Sequence, residues 1–256
     1  VAVASVQPIG LRRTNGVLSA LAQDDRRRLE PHLEPVHLPR RKILHEPGVT
    51  TRHVFFPLDG VVVSLLALTV DGHAAEVAAI GHDGLVGLAA VFPSRTAGYQ
   101  SLVQLPGDAY RLRAEVFQSE FERAGSFRLA VLLHLHALLD QIVQSGACNR
   151  FHTTRQRLCR WLLMSQDRVQ SHTFSLTQEF IALTLGADRK RVSAAATALQ
   201  DAGVIRQRHG TITILNRRGL EACACECYQA VTGRTVDQQT PAAGQHAAPH
   251  RRPALM

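Results

Sequence analysis

The sequence has no uncharged apolar run of about 18 residues, the length that a membrane-spanning helix needs, so no span is expected. Its first residues, VAVASVQPIGLRR, lack the basic start and long apolar stretch of a secretory signal, and a cytoplasmic location is expected. There is no glycine-rich phosphate loop and no Ser- or Cys-based triad, which argues against phosphoryl transfer and nucleophilic hydrolysis. Cysteine is sparse: Cys148, Cys159, Cys223, Cys225 and Cys227, with none in the first 147 residues. An odd count in a cytoplasmic chain points to free thiols. The run Cys223–Cys227 invites a metal reading. On a continuous helix, however, Cys225 would point nearly opposite the other two, whereas a zinc site needs about four converging ligands. No metal ligand is therefore assigned. A cupin-like metal enzyme would need a His-x-His pair within strands. The one such pair, His134 and His136, lies outside them, and His45, His53, His73 and His82 lack the spacing.

What is present is charge in one place. The 256 residues carry a formal net charge of +8. Residues 150–218 hold 12 Lys/Arg against 4 Asp/Glu, so the remainder is neutral. A localised basic field is the electrostatic footprint of a nucleic-acid-binding module.

The fold class expected is α+β. Residues 1–17 read as a flexible arm and 18–33 as a short amphipathic helix closed by Pro35. From Val36 to about Arg113, short β-rich runs alternate with turns (VHLPRRKIL, HVFFPL, VVVSLLALTV, AAEVAAI, YQSLVQL, AYRLR), the pattern of an antiparallel jelly-roll-like β-roll. Asp59-Gly60 and Asp71-Gly72 read as hairpin turns. Domain boundaries are placed at 18–125 for the β-roll, 126–149 for a long helix, 150–228 for a C-terminal domain and 229–256 for a disordered tail poor in large apolar residues.

The long helix carries two apolar stripes. Val131, Leu135, Leu138 and Ile142 step by coiled-coil spacing and are assigned as the dimer seam. Leu129, Leu132, His136, Leu139 and Val143 form the other stripe. One stripe can cover the β domain; the other needs a partner, most simply a second copy.

Residues 177–205, TQEFIALTLGADRKRVSAAATALQDAGVI, read as two helices joined by a tight turn. Ala182 allows close approach, Gly186 tolerates positive φ in the turn, and Val192 fills the crossing. Asp188 caps the second helix, and Arg189, Lys190 and Arg191 fill its first turn. Three cations there oppose the helix dipole unless a polyanion lies nearby. RQRHGTITIL follows as a hairpin turning at His209-Gly210, a wing.

With these residues in view, the chain resembles the Crp/Fnr family of transcriptional regulators over about residues 18–228. HVFFPLDGVVVSL and GHDGLVGL resemble the family's β-roll core, and LEACACECY resembles the end of one of its subgroups. The resemblance implies a β-roll sensor domain, a long dimerisation helix and a winged helix-turn-helix. It implies a homodimer on a palindromic operator in double-stranded DNA, with RNA polymerase as a further partner. Carried over by position, base contacts fall on Arg189, Lys190 and Ala194, with Ser193 beside the last. Arg189 keeps the guanidinium that suits guanine; Lys190 and Ala194 depart from the family's residues, so the preferred sequence should differ. Phosphate contacts are placed at Thr177, Gln178, Arg191, Thr197, Arg206, Arg208 and His209. Cyclic-nucleotide binding is not expected: the family's ribose-binding glutamate falls near Gly87-Leu88, where no acid stands, and Arg95 alone could serve a phosphate. Gly87, Leu88 and Arg95 mark the possible effector pocket, with no cofactor assigned. The rival readings are a cyclic-nucleotide module acting on a protein partner and the cupin-like enzyme.

Overall fold

A computed structural model gives the fold and describes residues 15–169, 171–208 and 210–239. The expected helix over 18–33 is broken into α1 (Gly16–Ser19) and α2 (Gln23–Leu29), closed by a 3-10 turn at Glu30–His32. Asn15 is buried and holds the chain to the β domain. Its Oδ1 caps α1 by accepting from Leu18 N at 3.2 Å, and its Nδ2 donates to the carbonyls of Pro57 (3.0 Å) and Gly84 (2.7 Å). Residues 15–17 are therefore anchored rather than part of a loose arm, and 1–14 lie outside the described residues.

Among the described residues, seven strands build the β-roll: β1 (Glu34–Leu38), β2 (Ile43–His45), β3 (His53–Pro57), β4 (Val62–Leu68), β5 (Ala74–Ile80), β6 (Gln100–Leu105) and β7 (Gly107–Arg113). They form two antiparallel sheets, ordered β1-β7-β3 and β2-β6-β4-β5. The first β-rich run splits in two because Pro39 carries no N–H for a ladder, and its carbonyl instead accepts from Lys42 N at 3.2 Å in a turn. Asp71-Gly72 does turn the β4–β5 hairpin, with Gly72 at φ 79°. Asp59-Gly60 does not make a hairpin: it carries the chain from β3 in one sheet to β4 in the other.

The strands alternate between two cores. Val63, Leu65, Ala78, Ile80 and Val103 face inward, packing with Val54, Phe56 and Leu112 of the other sheet. Val62, Ala79 and Leu105 face the opposite way and join the C-terminal domain's core. This sheet is therefore covered on both faces, which is why β4 reads as a nearly continuous apolar run. Fully burying each such Val or Leu is worth about 1.5–3 kcal/mol.

Helices α3 (Ala114–Glu122) and α4 (Ser126–Phe151) follow. The N-cap position of α4 is Gly125, which supplies no side chain. Asp25 of α2 supplies it instead, accepting from Ser126 Oγ at 2.5 Å and Phe127 N at 3.1 Å. The Ser126 hydrogen bond leads in holding the Asp25 carboxyl below the ordinary carboxylate range.

The stripe assigned to the dimer is the one that meets the β-roll. Val131 and Leu138 are buried in the β-roll core, with Leu135 and Ile142 packed against it. Leu129, Leu132, Leu139 and Val143 are 60, 44, 56 and 65% exposed. The seam assigned to the dimer thus closes against the chain's own β-roll, and the second stripe is left open. Both stripes make α4 long and apolar enough, by length and composition, to cross a membrane, although the sequence offered no uncharged run of that length. One face of it is already closed by protein.

The C-terminal part contains α5 (Thr154–Val169), β8 (Thr173–Ser175), α6 (Gln178–Leu185), α7 (Arg189–Asp201), β9 (Ile205–Arg208), β10 (Thr211–Ile214), α8 (Arg217–Cys223) and α9 (Cys227–Gln239). The expected last helix over 217–228 is interrupted: α8 stops at Cys223, Ala224 turns extended (ψ 159°), and α9 restarts at Cys227. Helix then continues to Gln239, where disorder was expected from 229. Its support is tertiary, since Cys225, Cys227 and Val231 are buried and α9 packs on α4. Residues 240–256 lie outside the described residues.

Polar contacts seat α5 on the outer face of the four-stranded sheet. Gln104 accepts from Ser64 Oγ at 3.0 Å and donates to Ser165 Oγ at 3.1 Å; Arg168 pairs with Asp83 at 3.2 Å. Glu76 on β5 is caught in this contact. Its Oε2 is buried without a hydrogen-bond partner among the described residues, and burial pushes its carboxyl up to about 7.

Candidate nucleic-acid interface

Helix α6 begins at Thr177, whose Oγ1 accepts from Phe180 N at 3.2 Å. It ends at Gly186, φ 53° and ψ 45°, with the closing bonds Gly186 N to Leu183 O (3.1 Å) and Ala187 N to Ala182 O (3.0 Å). A Cβ on Gly186 would also stand 2.9 Å from Ala75 Cβ of β5, so both conformation and space call for glycine. Ala182 and Val192 are buried at the crossing of α6 and α7, in one core with Phe180, Leu185 and Ala196.

Asp188 caps α7: its Oδ1 accepts from Lys190 N at 2.8 Å and Arg191 N at 3.3 Å. That cap fixes the direction of the first turn, from which Arg189, Lys190 and Arg191 project exposed. Ala194 and Thr197 continue the exposed face, with Ser193 half-buried beside them. Arg189 meets one counter-charge, Glu179 at 3.0 Å, but both side chains are more than half exposed. A pair so open to water is worth little and can be exchanged for another acceptor.

The wing is a three-stranded antiparallel sheet, β8-β10-β9, on which Arg206 and Arg208 are exposed. Gln207 ties it to both helices. Its Oε1 accepts from Gln178 Nε2 at 3.2 Å, and its backbone N donates to Gln200 Oε1 at 2.9 Å. The start of α6, the end of α7 and the wing are thus held in one frame, with Thr177 and Gln178 half-buried at its edge. His209 lies outside the described residues. Sequence reasoning missed β8, whose three residues pair with β10 through Phe174 opposite Ile212; so short a run gives no periodic signal.

Each residue of the trio named for an effector has other contacts within the chain. Leu88 is buried. The Arg95 guanidinium is engaged by α3, paired with Glu115 Oε1 at 2.6 Å and donating to Gln118 Oε1 at 2.8 and 3.2 Å. Gly87 stands against His45 and the His53 carbonyl. A cavity of about 400 Å³ opens elsewhere, between α1, β5 and α4, bordered by Asp83, His134, Gln141 and Arg168. His134 packs there with its Nε2 against the backbone of Leu85 (3.0 Å to the carbonyl), and burial pushes its pKa down.

The helix pair, its cap and its wing agree with the comparisons. Residues 156–223 match the Crp-like helix-turn-helix domain. The fold is that of Crp/Fnr regulators. A regulator described as of the Crp/Fnr family, from Eubacterium rectale, superposes with a TM-score of 0.65 at 15% identity, covering 81% of this chain and 96% of that one. FixK2 from Bradyrhizobium japonicum gives 0.64 at 14%, covering 75% and 98%. The c-di-GMP-responsive global regulator CLP of Xanthomonas campestris gives 0.62 at 18%, covering 75% and 99%. No curated protein matches the sequence.

A second set of side chains converges at the end of α4. Cys148 and His152, from the end of α4, meet Cys225 of the α8–α9 link and Cys227 at the start of α9. A single helix through Cys223–Cys227, as the sequence alone suggests, would not converge these thiols. The break at Ala224 removes that objection, and the partners of Cys225 and Cys227 come from 77 and 75 residues earlier.

Proposed function

We propose that the chain is a sequence-specific DNA-binding transcriptional regulator of the Crp/Fnr type, acting as a homodimer in the cytoplasm. The observation that carries the reading is the first turn of α7. Three exposed cations stand on a capped helix end, within a Crp-like helix-turn-helix domain, beside a wing bearing Arg206 and Arg208. Cations at a helix N-terminus oppose the dipole, and a phosphate backbone reverses that cost. In this reading α7 enters the major groove. Arg189 and Lys190 read base edges beside Ser193 and Ala194, while Thr177, Gln178, Arg191, Thr197, Arg206, Arg208 and His209 take phosphates.

The open stripe of α4 supports the second copy. Leu129, Leu132, Leu139 and Val143 leave a long apolar face on the side away from the β-roll, where two such helices can pair. A two-fold dimer would present two α7 helices to half-sites about one helical turn apart. RNA polymerase as a partner rests on the family resemblance. Selecting bound fragments from genomic DNA with the full-length protein tests the reading: a two-fold symmetric motif is expected, and recovery no different from random fragments would overturn it.

A further inference from the structure

The chain turns a corner where α4 ends. Phe151 is its last residue, His152 is extended (φ −106°, ψ 149°), and α5 starts at Thr154. At this corner three thiols and an imidazole offer ligand atoms that all lie within 4.8 Å of one another. Cys148 Sγ is 3.5 Å from Cys225 Sγ, and Cys227 Sγ is 3.5 Å from His152 Nδ1. Ligands about 2.0–2.3 Å from one tetrahedral zinc ion stand about 3.5–3.8 Å apart, so these separations suit a single shared ion. They are too long for a disulfide, and all five cysteines are free.

The surroundings fit the same chemistry. His152 Nε2 faces Glu226 Oε1 at 3.2 Å, which directs the opposite ring nitrogen, Nδ1, toward the thiols as a lone-pair donor. Gln144 Nε2 donates to Cys227 Sγ at 3.1 Å, a contact that suits a thiolate. Arg157 and Arg160 are buried within electrostatic range of Cys148, and the Nε of each has no hydrogen-bond partner among the described residues. Three thiolates and one divalent cation leave a single negative charge, which these guanidiniums offset.

We propose that Cys148, His152, Cys225 and Cys227 bind one zinc ion in a closed tetrahedral site that clamps α9 and the α8–α9 link to the end of α4. Four protein ligands leave no open position, so the site is structural rather than catalytic. It fastens the segment from which α5, and with it the DNA-binding domain, departs. A sulfide-bridged iron cluster would need the thiolates farther apart than a single ion does.

The test uses the full chain and needs no DNA, so its outcome is separate from the function proposed above. Elemental analysis of protein purified without chelator is expected to give about one zinc per chain. After anaerobic removal, cobalt(II) titration is expected to give thiolate charge-transfer absorption and tetrahedral d–d bands that saturate at one equivalent and are displaced by zinc. Cys225→Ser should lower cobalt affinity by at least about 100-fold. Cys223→Ser, which alters a thiol outside the set, should leave the spectrum unchanged. The proposal is overturned if folded wild-type protein, incubated with zinc or cobalt, holds neither stoichiometrically. It is overturned equally if Cys223→Ser lowers affinity as much as Cys225→Ser.

Discussion

Two surfaces of this molecule stay open to solvent although their composition asks for a partner: the apolar outer face of α4 and the cationic first turn of α7. They differ in what would satisfy them. The α4 face offers mainly apolar area, so it suits a surface like itself, and its association should depend less on salt. The α7 face offers charge on exposed side chains, so it suits a polyanion and should weaken steeply as salt rises. In the function proposed above, one surface sets how many copies meet, the other what they meet.

Adjacent residues on α4 give the sharpest way to break the comparison. Leu138 is buried in the β-roll core and Leu139 is mostly exposed. Leu138→Ala is expected to cost about 2–5 kcal/mol in denaturant unfolding. Leu132→Asp with Leu139→Asp should leave circular dichroism unchanged and convert the proposed dimer to a monomer in light scattering. A dimer surviving that pair would move the interface elsewhere.

On the α7 side, Arg189→Ala is expected to cost about 1–3 kcal/mol on the preferred duplex and to relax base preference, whereas Arg208→Ala should weaken all duplexes alike. Competition binding over a set of single-base operator variants separates the two. Unchanged preference in Arg189→Ala would remove that residue from base readout.

A third effect, of pH, is expected where Glu76 of β5 faces α5. Burial raises the Glu76 carboxyl from an ordinary 4.5 to about 7, so between those values the folded chain binds more protons than the unfolded one. Its contribution to stability therefore falls as pH rises from about 4.5 to about 7 and is level above that. Thermal unfolding of Glu76→Gln across this window should show a flatter profile than wild type; an identical slope would locate the dependence elsewhere. The smallest effect is expected of Asp188→Ala, about 1 kcal/mol from loss of the cap, read in denaturant unfolding.

What the sequence made legible was local. Thr177, Gly186 and Asp188 do their structural work within a few residues of their own positions, so the helix-turn-helix could be read from one stretch. The Asp71-Gly72 hairpin was legible for the same reason. Asp59-Gly60 carries an identical signal, yet its strands pair with other partners, and no dipeptide encodes that. The α4 stripes were both visible, but choosing the one that meets the β-roll requires the β-roll. The Cys/His cluster was hidden because it depends on a helix break at Ala224 and on side chains from two distant segments. Likewise α9 has little propensity signal of its own and is held by its packing on α4.

The most direct measurement is affinity of the full-length protein for its selected duplex across a salt series. With Arg191, Arg206 and Arg208 on phosphates in each of two subunits, the log–log slope is expected near −5, from about 0.9 counterions released per cationic contact. Absence of salt-dependent affinity for any duplex would contradict the assignment of α7 as the DNA-reading element.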